Sequence, residues 1–296
     1  MDKKVRLKKD MKEKQELVNI ILDRYLPRKD EYPKTIHKAM RYSLFAGGKR
    51  IRPYLTMSTY EIYRKEVDKI VPVAAAIEML HTYSLIHDDL PDIDNDDYRR
   101  GKKSCHILFG EGQALLAGDA LLVSSFDLIT LSEIKSEYKV NFVRELAEVA
   151  GVNGLIGGQM IDIESEGKKV DQKTINYIHN NKTAKLIQLS VRFGAIAGGA
   201  PESELKALED YGGKMGLAFQ IADDLLDIEG TPDELGKSVG KDKIEGKATY
   251  PSVFGIAASK SKLQELIKEA RESIAPLGEK AELLDALAEY MLTRKS

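Results

Sequence analysis

The stretch HTYSLIHDDLPDIDNDDYRRG, residues 81–101, places a dense run of aspartates directly after an apolar, alanine-rich segment, Val71–Leu80. The apolar segment predicts a buried helix, so the carboxylates gather at the end of a hydrophobic rod. Carboxylates crowded in this way repel one another, and either some stay protonated or a cation neutralises them. Mg2+ takes oxygen ligands and often bridges carboxylates to phosphates, while Arg99 and Arg100 offer forked donors to phosphate oxygens. The stretch therefore predicts a helix end that binds magnesium and phosphate.

A second acidic cluster, FQIADDLLD at residues 219–227, sharpens this interpretation. Asp223 and Asp227 are four residues apart, so on a helix they share a face about one turn from each other. Two helices that present such aspartates across a cavity could hold a diphosphate between them through several Mg2+ ions. Neither cluster alone would be sufficient to hold the diphosphate in this way.

Composition limits the classes of protein to consider. The chain has 296 residues, of which 43% are apolar, enough for a large core. Its 45 Lys and Arg against 47 Asp and Glu give a net charge of −2, which argues against a general nucleic-acid binder. The single Cys105 excludes an intrachain disulfide framework and favours a reducing compartment. No apolar run approaches the roughly 20 residues of a membrane helix, and no signal-type segment follows the charged N-terminus, so we expect a cytoplasmic protein.

Helical periodicity dominates the rest of the chain, and strand signals are nearly absent. An amphipathic helix is predicted over residues 10–25, and residues 230–249 are polar and glycine-rich and predict a loop. No repeat or linker composition divides the chain. We therefore predict one all-α domain over residues 1–296, a single large helical bundle around a central cavity. Further helices are predicted at residues 33–45, 109–123, 140–149, 152–165, 171–197 and 202–228 and from 250 to the C-terminal end.

Several features have simpler interpretations. Acidic runs are usually solvated helix ends, and the spacing Asp92-x-Asp94-x-Asp96 is also that of a calcium loop. A calcium loop would need glycine where Asp97 stands and glutamate where Lys103 stands, so it is rejected. The lysine–glycine segments at 47–49 and 230–238 are poor matches to a nucleotide-binding loop, and neither follows a strand.

Two further residue groups are ambiguous on their own. His81 on an apolar face is more often a hydrogen-bonded core histidine than a ligand, but it lies seven residues, about two helical turns, before Asp88. That spacing puts both on one helix face. The pair Lys182-Thr183 would by itself be assigned to the surface.

Taken in order, the motifs resemble those of the trans-prenyltransferases, the short-chain isoprenyl diphosphate synthases. The shared elements are GGKRIRP (47–53), the first acidic stretch with its arginines (81–101), Lys182-Thr183, FQIADDLLD (219–227) and GKATYP (246–251). Details at residues 105–106, 117–122 and 158–159 are most similar to the bacterial farnesyl diphosphate synthases.

The resemblance implies a head-to-tail condensation of an allylic diphosphate with isopentenyl diphosphate. It implies a Mg2+ cluster on the allylic diphosphate, held by Asp88, Asp94 and Asp223, with Asp89 and Asp227 in supporting or water-mediated roles. On an ideal helix, however, Asp92 rather than Asp94 shares a face with Asp88, and Asp92 stays a competitor unless Pro91 kinks the helix. The residues implied in catalysis are Asp88, Asp89, Lys182, Thr183, Gln220 and Asp224. Those implied in substrate binding are Lys49, Arg52, His81, Arg99, Arg100, Lys182, Thr183, Gln220, Lys237 and Lys247.

Product length is expected to depend on residues one to two turns before Asp88, toward which the hydrocarbon grows. Tyr83 lies about 7.5 Å back along the helix axis and is predicted to be the floor of the cavity, with the small Ser84 beside it. By resemblance, this favours the fifteen-carbon farnesyl product. A geranylgeranyl diphosphate synthase is the alternative within the class. A terpene cyclase and a non-catalytic synthase subunit rank lower, and the resemblance favours a homodimer.

Overall fold

The computed structural model describes residues 2–229 and 246–292, and these form helices joined by short loops, in agreement with the all-α prediction. The helices are α1 (Lys3–Tyr25), α2 (Lys34–Leu44), α3 (Ile51–Glu61), α4 (Val71–Asp88), α5 (Cys105–Phe109), α6 (Glu111–Thr130), α7 (Ser136–Ala150), α8 (Leu155–Ser165), α9 (Gln172–Ile178), α10 (Lys185–Gly198), α11 (Glu202–Glu229), α12 (Tyr250–Phe254), α13 (Ile256–Ile274) and α14 (Glu282–Leu292). Short 3-10 segments lie at Val67–Lys69 and Ala275–Ala281.

Helix α4 is central because its sequence is apolar on nearly every side, and its residues from Val71 to Ile86 are almost all buried. Pro72 lies in its first turn, where the missing backbone N–H is not needed. α4 packs against α6 and α3. At Gly118 of α6, a Cβ atom would come within 2.2 Å of Nε2 of His87, so the absence of a side chain lets the two helices approach.

Two hydrophobic clusters form the core. The first surrounds α4 and contains Ile77, Met79 and Leu80, and the second surrounds α11 and contains Tyr211 and Met215. The cavity described below is lined by residues of α4 and of α11, one helix from each cluster. The fold therefore brings the ends of two separately packed helices to one site.

Three details differ from the sequence-based expectation. The first helix begins at Lys3 rather than at residue 10. The helix predicted over 171–197 is interrupted by a π-helix at His179–Ala184. Within the described ranges, one short antiparallel ribbon is present, in which Tyr98–Arg99 pairs with Lys102–Lys103. Two-residue strands carry too little periodicity to be detected. Of the loop predicted at 230–249, residues 230–245 lie outside the described part.

By length and composition alone, α6 could cross a membrane, the one helix in the described residues that meets this test. The expectation that no apolar run reaches this length was therefore too strong. Ala114, Ala117 and Leu121 of α6 are buried in the first hydrophobic cluster. Its apolar composition is thus partly explained by its packing inside the protein.

Candidate active site

A cavity of about 350 Å3 collects most of the predicted site residues. Its walls come from α3, α4, the loop after α4, α8, the π-helix, α11 and the segment before α12. The predicted residues that line it are Arg52, His81, Ser84, Asp88, Asp94, Arg99, Arg100, Lys182, Thr183, Gln220, Asp223, Asp224, Asp227 and Lys247. Lys237 lies outside the described residues.

The first acidic stretch enters the cavity through a chain reversal. Helix α4 ends at Asp88 instead of continuing through a kink at Pro91. The Asp94 N–H donates to the Asp88 carbonyl oxygen at 2.8 Å, and Asn95 adopts a left-handed backbone conformation with φ of 48°. This fold-back brings Asp94 to the cavity wall, whereas Asp92 is exposed and does not line the cavity.

Charges of both signs surround the first pair of cavity carboxylates. Burial, together with the neighbouring Asp94, raises the pKa of Asp88 to about 6 against the opposing effect of Lys182. Burial also disfavours ionisation of Asp94, but Lys182 and Lys247 outweigh it and lower the pKa of that carboxyl. The Lys247 Nζ lies 2.8 Å from the Asp94 carboxylate. Lysines thus stabilise the negative charge on this wall.

Asp89 has a different position from Asp88. Its side chain is buried, does not line the cavity, and accepts a hydrogen bond from Arg99 Nε at 2.8 Å. Arg99 also donates to Asp96 at 2.9 Å. Asp89 therefore holds Arg99, which does line the cavity.

In the second acidic cluster, Asp223, Asp224 and Asp227 all line the cavity. Asp224 accepts hydrogen bonds from Gln220 Nε2 at 2.8 Å and from the Tyr250 backbone N–H at 2.7 Å. The Oε1 atom of Gln220 in turn accepts from the Thr183 hydroxyl at 2.6 Å. The prediction from spacing, that Asp223 and Asp227 share one face, is confirmed.

The π-helix carries Lys182 and Thr183 into the site because glycines allow close packing around it. A Cβ atom at Gly158 would lie 2.5 Å from the Lys182 backbone nitrogen, and one at Gly216 would lie 2.5 Å from the Ala184 Cα. The Lys182 Nζ donates to Asp162 at 2.7 Å. Burial would lower the pKa of Lys182, but Asp162 and the cavity aspartates outweigh it and raise the pKa, so this lysine stays charged.

Another part of the cavity wall is basic. Arg52, His81 and Arg100 line it, and Arg100 donates to the Gly47 carbonyl oxygen at 2.7 Å. Burial, together with the surrounding arginines, lowers the pKa of His81 well below its ordinary value, so the imidazole is neutral. Lys49 does not line the cavity, and its Nζ lies 5.6 Å from the centre of the Tyr290 ring.

Arg50 supports the basic wall without lining the cavity. It has a left-handed backbone conformation, with φ of 53°, and donates to the buried Glu78 at 2.7 Å and to the carbonyl oxygen of Gly47 at 3.1 Å. Glu78 also lies 3.6 Å from Arg100. One buried carboxylate is therefore shared by a structural arginine and a cavity arginine.

Tyr83, the predicted floor, is 5% exposed and is not among the residues that line the cavity, although Ser84 is. Its ring packs edge-on against His87, with centroids 4.9 Å apart. Burial raises the pKa of Tyr83 to about 12. Ser84 is therefore the member of the pair that faces the cavity.

Sequence reasoning missed several residues that shape the site. Glu78 could have been found as the lone acid in an otherwise apolar helix, and Asp162 as the acid one turn after Gly158 and Gln159. Gln159 lines the cavity, and both of its amide atoms are buried without a hydrogen-bond partner among the described residues. No sequence signal indicated His179, whose Nε2 lies 3.4 Å from the Asp224 carboxylate.

The cavity carboxylates fit Mg2+ in chemistry, since they offer oxygen ligands from the end of α4, from the loop after it and from α11. The raised pKa of Asp88 indicates that this part of the cavity favours an added positive charge. Among the described residues, however, no three His, Cys, Asp or Glu side chains converge as a complete metal site. Mg2+ usually keeps several waters and takes phosphate oxygens, so it would complete its coordination at these carboxylates with such ligands.

Comparison with known proteins agrees with this geometry. Residues 33–286 match the sequence profile described as polyprenyl synthetase. The chain is 46% identical over 267 residues to a farnesyl diphosphate synthase of Geobacillus stearothermophilus, covering 89% of this chain and 90% of that relative. It is 43% identical over 287 residues to a geranylgeranyl diphosphate synthase of Cyanophora paradoxa, covering 96% of this chain and 95% of that one.

A solved structure shares the fold over nearly the whole chain. The crystal structure of a geranyltransferase from Helicobacter pylori, complexed with magnesium and isoprenyl diphosphate, has a TM-score of 0.85 at 30% identity. The match covers 96% of this chain and 95% of that chain. On the matched profile, the sequence identity and the shared fold, this chain belongs to the polyprenyl synthetase family, as its motifs predicted.

Proposed function

We propose that this chain is a trans-prenyltransferase that condenses isopentenyl diphosphate with dimethylallyl and geranyl diphosphates to give farnesyl diphosphate. The observation that carries the proposal is one cavity lined both by Asp88, Asp94 and Asp223, here called the acidic wall, and by Arg52, His81 and Arg100, the basic wall. A reaction between two diphosphates needs two anion sites of different kinds, one for the group that leaves and one for the group that stays.

The acidic wall is proposed to bind the allylic substrate. Asp88, Asp94 and Asp223 would hold Mg2+, which when bound supplies positive charge that stabilises the departing diphosphate. Lys182, Arg99 and Lys247 lie at the same wall and would contact the diphosphate directly. When the diphosphate binds, Lys182 and Lys247 can exchange aspartate partners for phosphate oxygens, because both are already charged and positioned there.

The basic wall is proposed to bind isopentenyl diphosphate. Arg52 and Arg100 would contact its phosphates, and the neutral His81 would donate one N–H. Lys49 remains part of this proposed set, and Lys237 remains part of the set proposed for the allylic diphosphate. Because the diphosphate of the isopentenyl substrate is not released, fixed arginines without a metal suit it.

The proposed chemistry needs no strong base from the protein. Breaking the allylic carbon–oxygen bond leaves a cation, which the isopentenyl double bond attacks before water can reach it. The released diphosphate then accepts the proton lost from the isopentenyl carbon. Oxygens of Thr183 and Gln220 lie beside the acidic wall and would stabilise the cation electrostatically.

A geranylgeranyl diphosphate synthase is the second candidate, and the position of Tyr83 favours it. The ring is packed behind the cavity lining, so a small Ser84 is what the growing chain meets first. The similarity to the Cyanophora paradoxa enzyme is in keeping with this candidate. Tyr83→Ala is expected to lengthen the product if Tyr83 is the floor and to leave it unchanged if the floor lies elsewhere.

The proposal includes a homodimer and a cytoplasmic location. Helix α6 exposes Leu115, Leu116 and Val123, with 45%, 58% and 68% of their surface accessible, and a second copy could bury them. Multi-angle light scattering of the wild type and of a Leu116→Glu, Val123→Glu variant tests this. A dimer that the double substitution converts to monomer is expected, and a wild-type monomer would contradict it.

The decisive experiment is the chain length of the product made from dimethylallyl and isopentenyl diphosphates, with Mg2+ and then with a chelator. A magnesium-dependent fifteen-carbon diphosphate supports the proposal. A twenty-carbon product supports the second candidate. Absence of condensation would indicate a non-catalytic subunit, and a cyclic hydrocarbon from farnesyl diphosphate would indicate a cyclase.

A further inference from the structure

Each carboxylate oxygen of Asp224 accepts a hydrogen bond from a specific donor, and Nε2 of His179 lies 3.4 Å from Oδ2. Oδ1 accepts from Gln220 Nε2 at 2.8 Å, and Oδ2 accepts from the Tyr250 N–H at 2.7 Å. The side chain is 4% exposed. A backbone N–H can only donate, and an ionised carboxylate can only accept, so the directions of both hydrogen bonds are fixed.

The direction of these hydrogen bonds also fixes the orientation of the Gln220 amide and of the Thr183 hydroxyl. Because the amide nitrogen of Gln220 must face Asp224, its oxygen faces Thr183. The Thr183 hydroxyl then donates to that oxygen, at 2.6 Å, and its proton is committed. The lone pairs of Thr183 Oγ1, the negative end of the hydroxyl dipole, are then left to face the cavity.

We propose that Asp224 is a positioning residue whose role is to set the direction of this Asp224–Gln220–Thr183 hydrogen-bond relay, so that oxygen lone pairs and not protons face the carbon that becomes cationic. The inference rests on the proposed function, because the direction of the relay matters only if a positive charge develops beside Thr183 during the reaction. Dipoles fixed before the reaction stabilise such charge without reorganising during it.

Asp224→Asn is expected to reverse the relay without changing its shape. The Tyr250 N–H still requires an oxygen, so the new amide nitrogen faces Gln220. Gln220 then turns its oxygen toward residue 224 and its nitrogen toward Thr183. Thr183 now accepts, and its hydroxyl proton is released toward the cavity, where it opposes the positive charge.

A second substitution restores the direction. With Asp224→Asn and Gln220→Glu together, the new amide nitrogen donates to one Glu oxygen, and the other Glu oxygen accepts from Thr183. The double variant also has the same net charge as the wild type. Recovery of activity in the double variant would therefore show that the loss in Asp224→Asn comes from the reversed hydrogen bonds or the missing charge. It would exclude damage to the fold as the cause.

The test measures kcat and KM for both substrates, at several Mg2+ concentrations, in the two single variants and the double variant. Asp210→Asn, an exposed position on the same helix, is the matched control for loss of one carboxylate. We expect Asp224→Asn to lower kcat on the order of 10²-fold, as removal of one preorganised dipole does, with little change in KM. The double variant is expected to recover at least about a tenth of wild-type kcat, well above either single variant.

Three outcomes would overturn the proposal. These are an Asp224→Asn variant as active as Asp210→Asn, a double variant no better than the singles, and recovery of Asp224→Asn by raised Mg2+, which would make Asp224 a metal ligand. Wild-type turnover reports on the proposed function, while the pattern among the variants reports on the relay, so the two can fail separately.

Calorimetry with two allylic diphosphate analogues measures binding affinity independently of turnover. One analogue carries an ammonium group at the position of the cationic carbon, and the other is uncharged there. Asp224→Asn should weaken binding of the cationic analogue more than that of the neutral one, and the double variant should remove the difference. Equal weakening of both analogues in every variant would contradict the relay.

Discussion

The two Asp-Asp pairs at the cavity, Asp88-Asp89 and Asp223-Asp224, have the same sequence but different hydrogen-bond partners. In each pair the first carboxylate lines the cavity and the second accepts hydrogen bonds that hold another side chain in place, although Asp224, unlike Asp89, lines the cavity as well. Asp89 is held by the charged guanidinium of Arg99, whereas Asp224 is held by an amide and a backbone N–H. The difference teaches that position in a motif does not define a role. The donors around each carboxylate define it.

The largest effect is expected at the first members of the two pairs. Asp88→Ala and Asp223→Ala each remove a proposed Mg2+ ligand, and we expect kcat/KM to fall at least on the order of 10³-fold with the fold retained. Steady-state kinetics with a Mg2+ titration and circular dichroism check this. Asp92→Ala, exposed on the same loop, is the control and should stay within about twofold of the wild type. Equal losses at Asp92 and Asp88 would end the distinction between cavity-facing and exposed aspartates.

A smaller effect, of a different kind, is expected at the holding members. Asp89→Asn takes the charge from a buried partner of Arg99, which keeps Asp96 at 2.9 Å. We expect the free energy of unfolding to fall by at most about 2 kcal/mol, the value of a hydrogen bond to a charged group, because burial, which raises the pKa of Asp89 to about 6, offsets part of what its charge contributes. Asp224→Asn, whose donors are neutral, should cost less than about 1 kcal/mol. Urea denaturation of the two variants, with Asp97→Asn as the exposed control, compares them. A larger stability loss at Asp224 than at Asp89 would invert the comparison.

A third holding carboxylate extends the comparison to the basic wall. Glu78 is bound by Arg50 and lies 3.6 Å from Arg100. Glu78→Gln should therefore loosen both arginines and raise KM for isopentenyl diphosphate about tenfold, the result of roughly 1.4 kcal/mol of lost binding. KM for the allylic substrate should stay unchanged, because its proposed site lies on the other wall. Equal increases in both KM values would show that Glu78 supports the whole fold and not one wall.

The parts of the site that the sequence predicted depend on spacing along one helix. Asp223 and Asp227 face the cavity together because they are four residues apart, and His81 does so because it precedes Asp88 by seven. The all-α class followed from the same periodicity. These relations need no knowledge of other elements.

The parts that could not be predicted depend on contacts between distant segments. Asp94 rather than Asp92 reaches the cavity because the chain reverses at Asn95 and bonds back to the end of α4. Arg50 turns inward because a buried glutamate lies 28 residues away in sequence. The π-helix that presents Lys182 depends on the close approach of Gly158. Periodicity reports which face of a helix is apolar, and it does not report what packs against that face.

The last expected effect concerns the pH dependence of stability, and it separates the two pairs in the metal-free protein. Burial raises the pKa of Asp88 to about 6, above its ordinary value of 3.8. Between these values the folded protein binds a proton that the unfolded chain does not, so the stability that this group contributes is full below pH 3.8 and is lost as the pH rises through 6. Thermal unfolding in chelator from pH 4 to 7, for the wild type and Asp88→Asn, measures this contribution. The wild type should lose up to about 2 kcal/mol more than the variant over this range, and added Mg2+ should abolish the difference, because a cation neutralises the carboxylate as the proton does. Identical pH profiles in chelator would mean that Asp88 is ionised in the folded protein without a metal. The crowding of carboxylates would then not distinguish the first pair from the second.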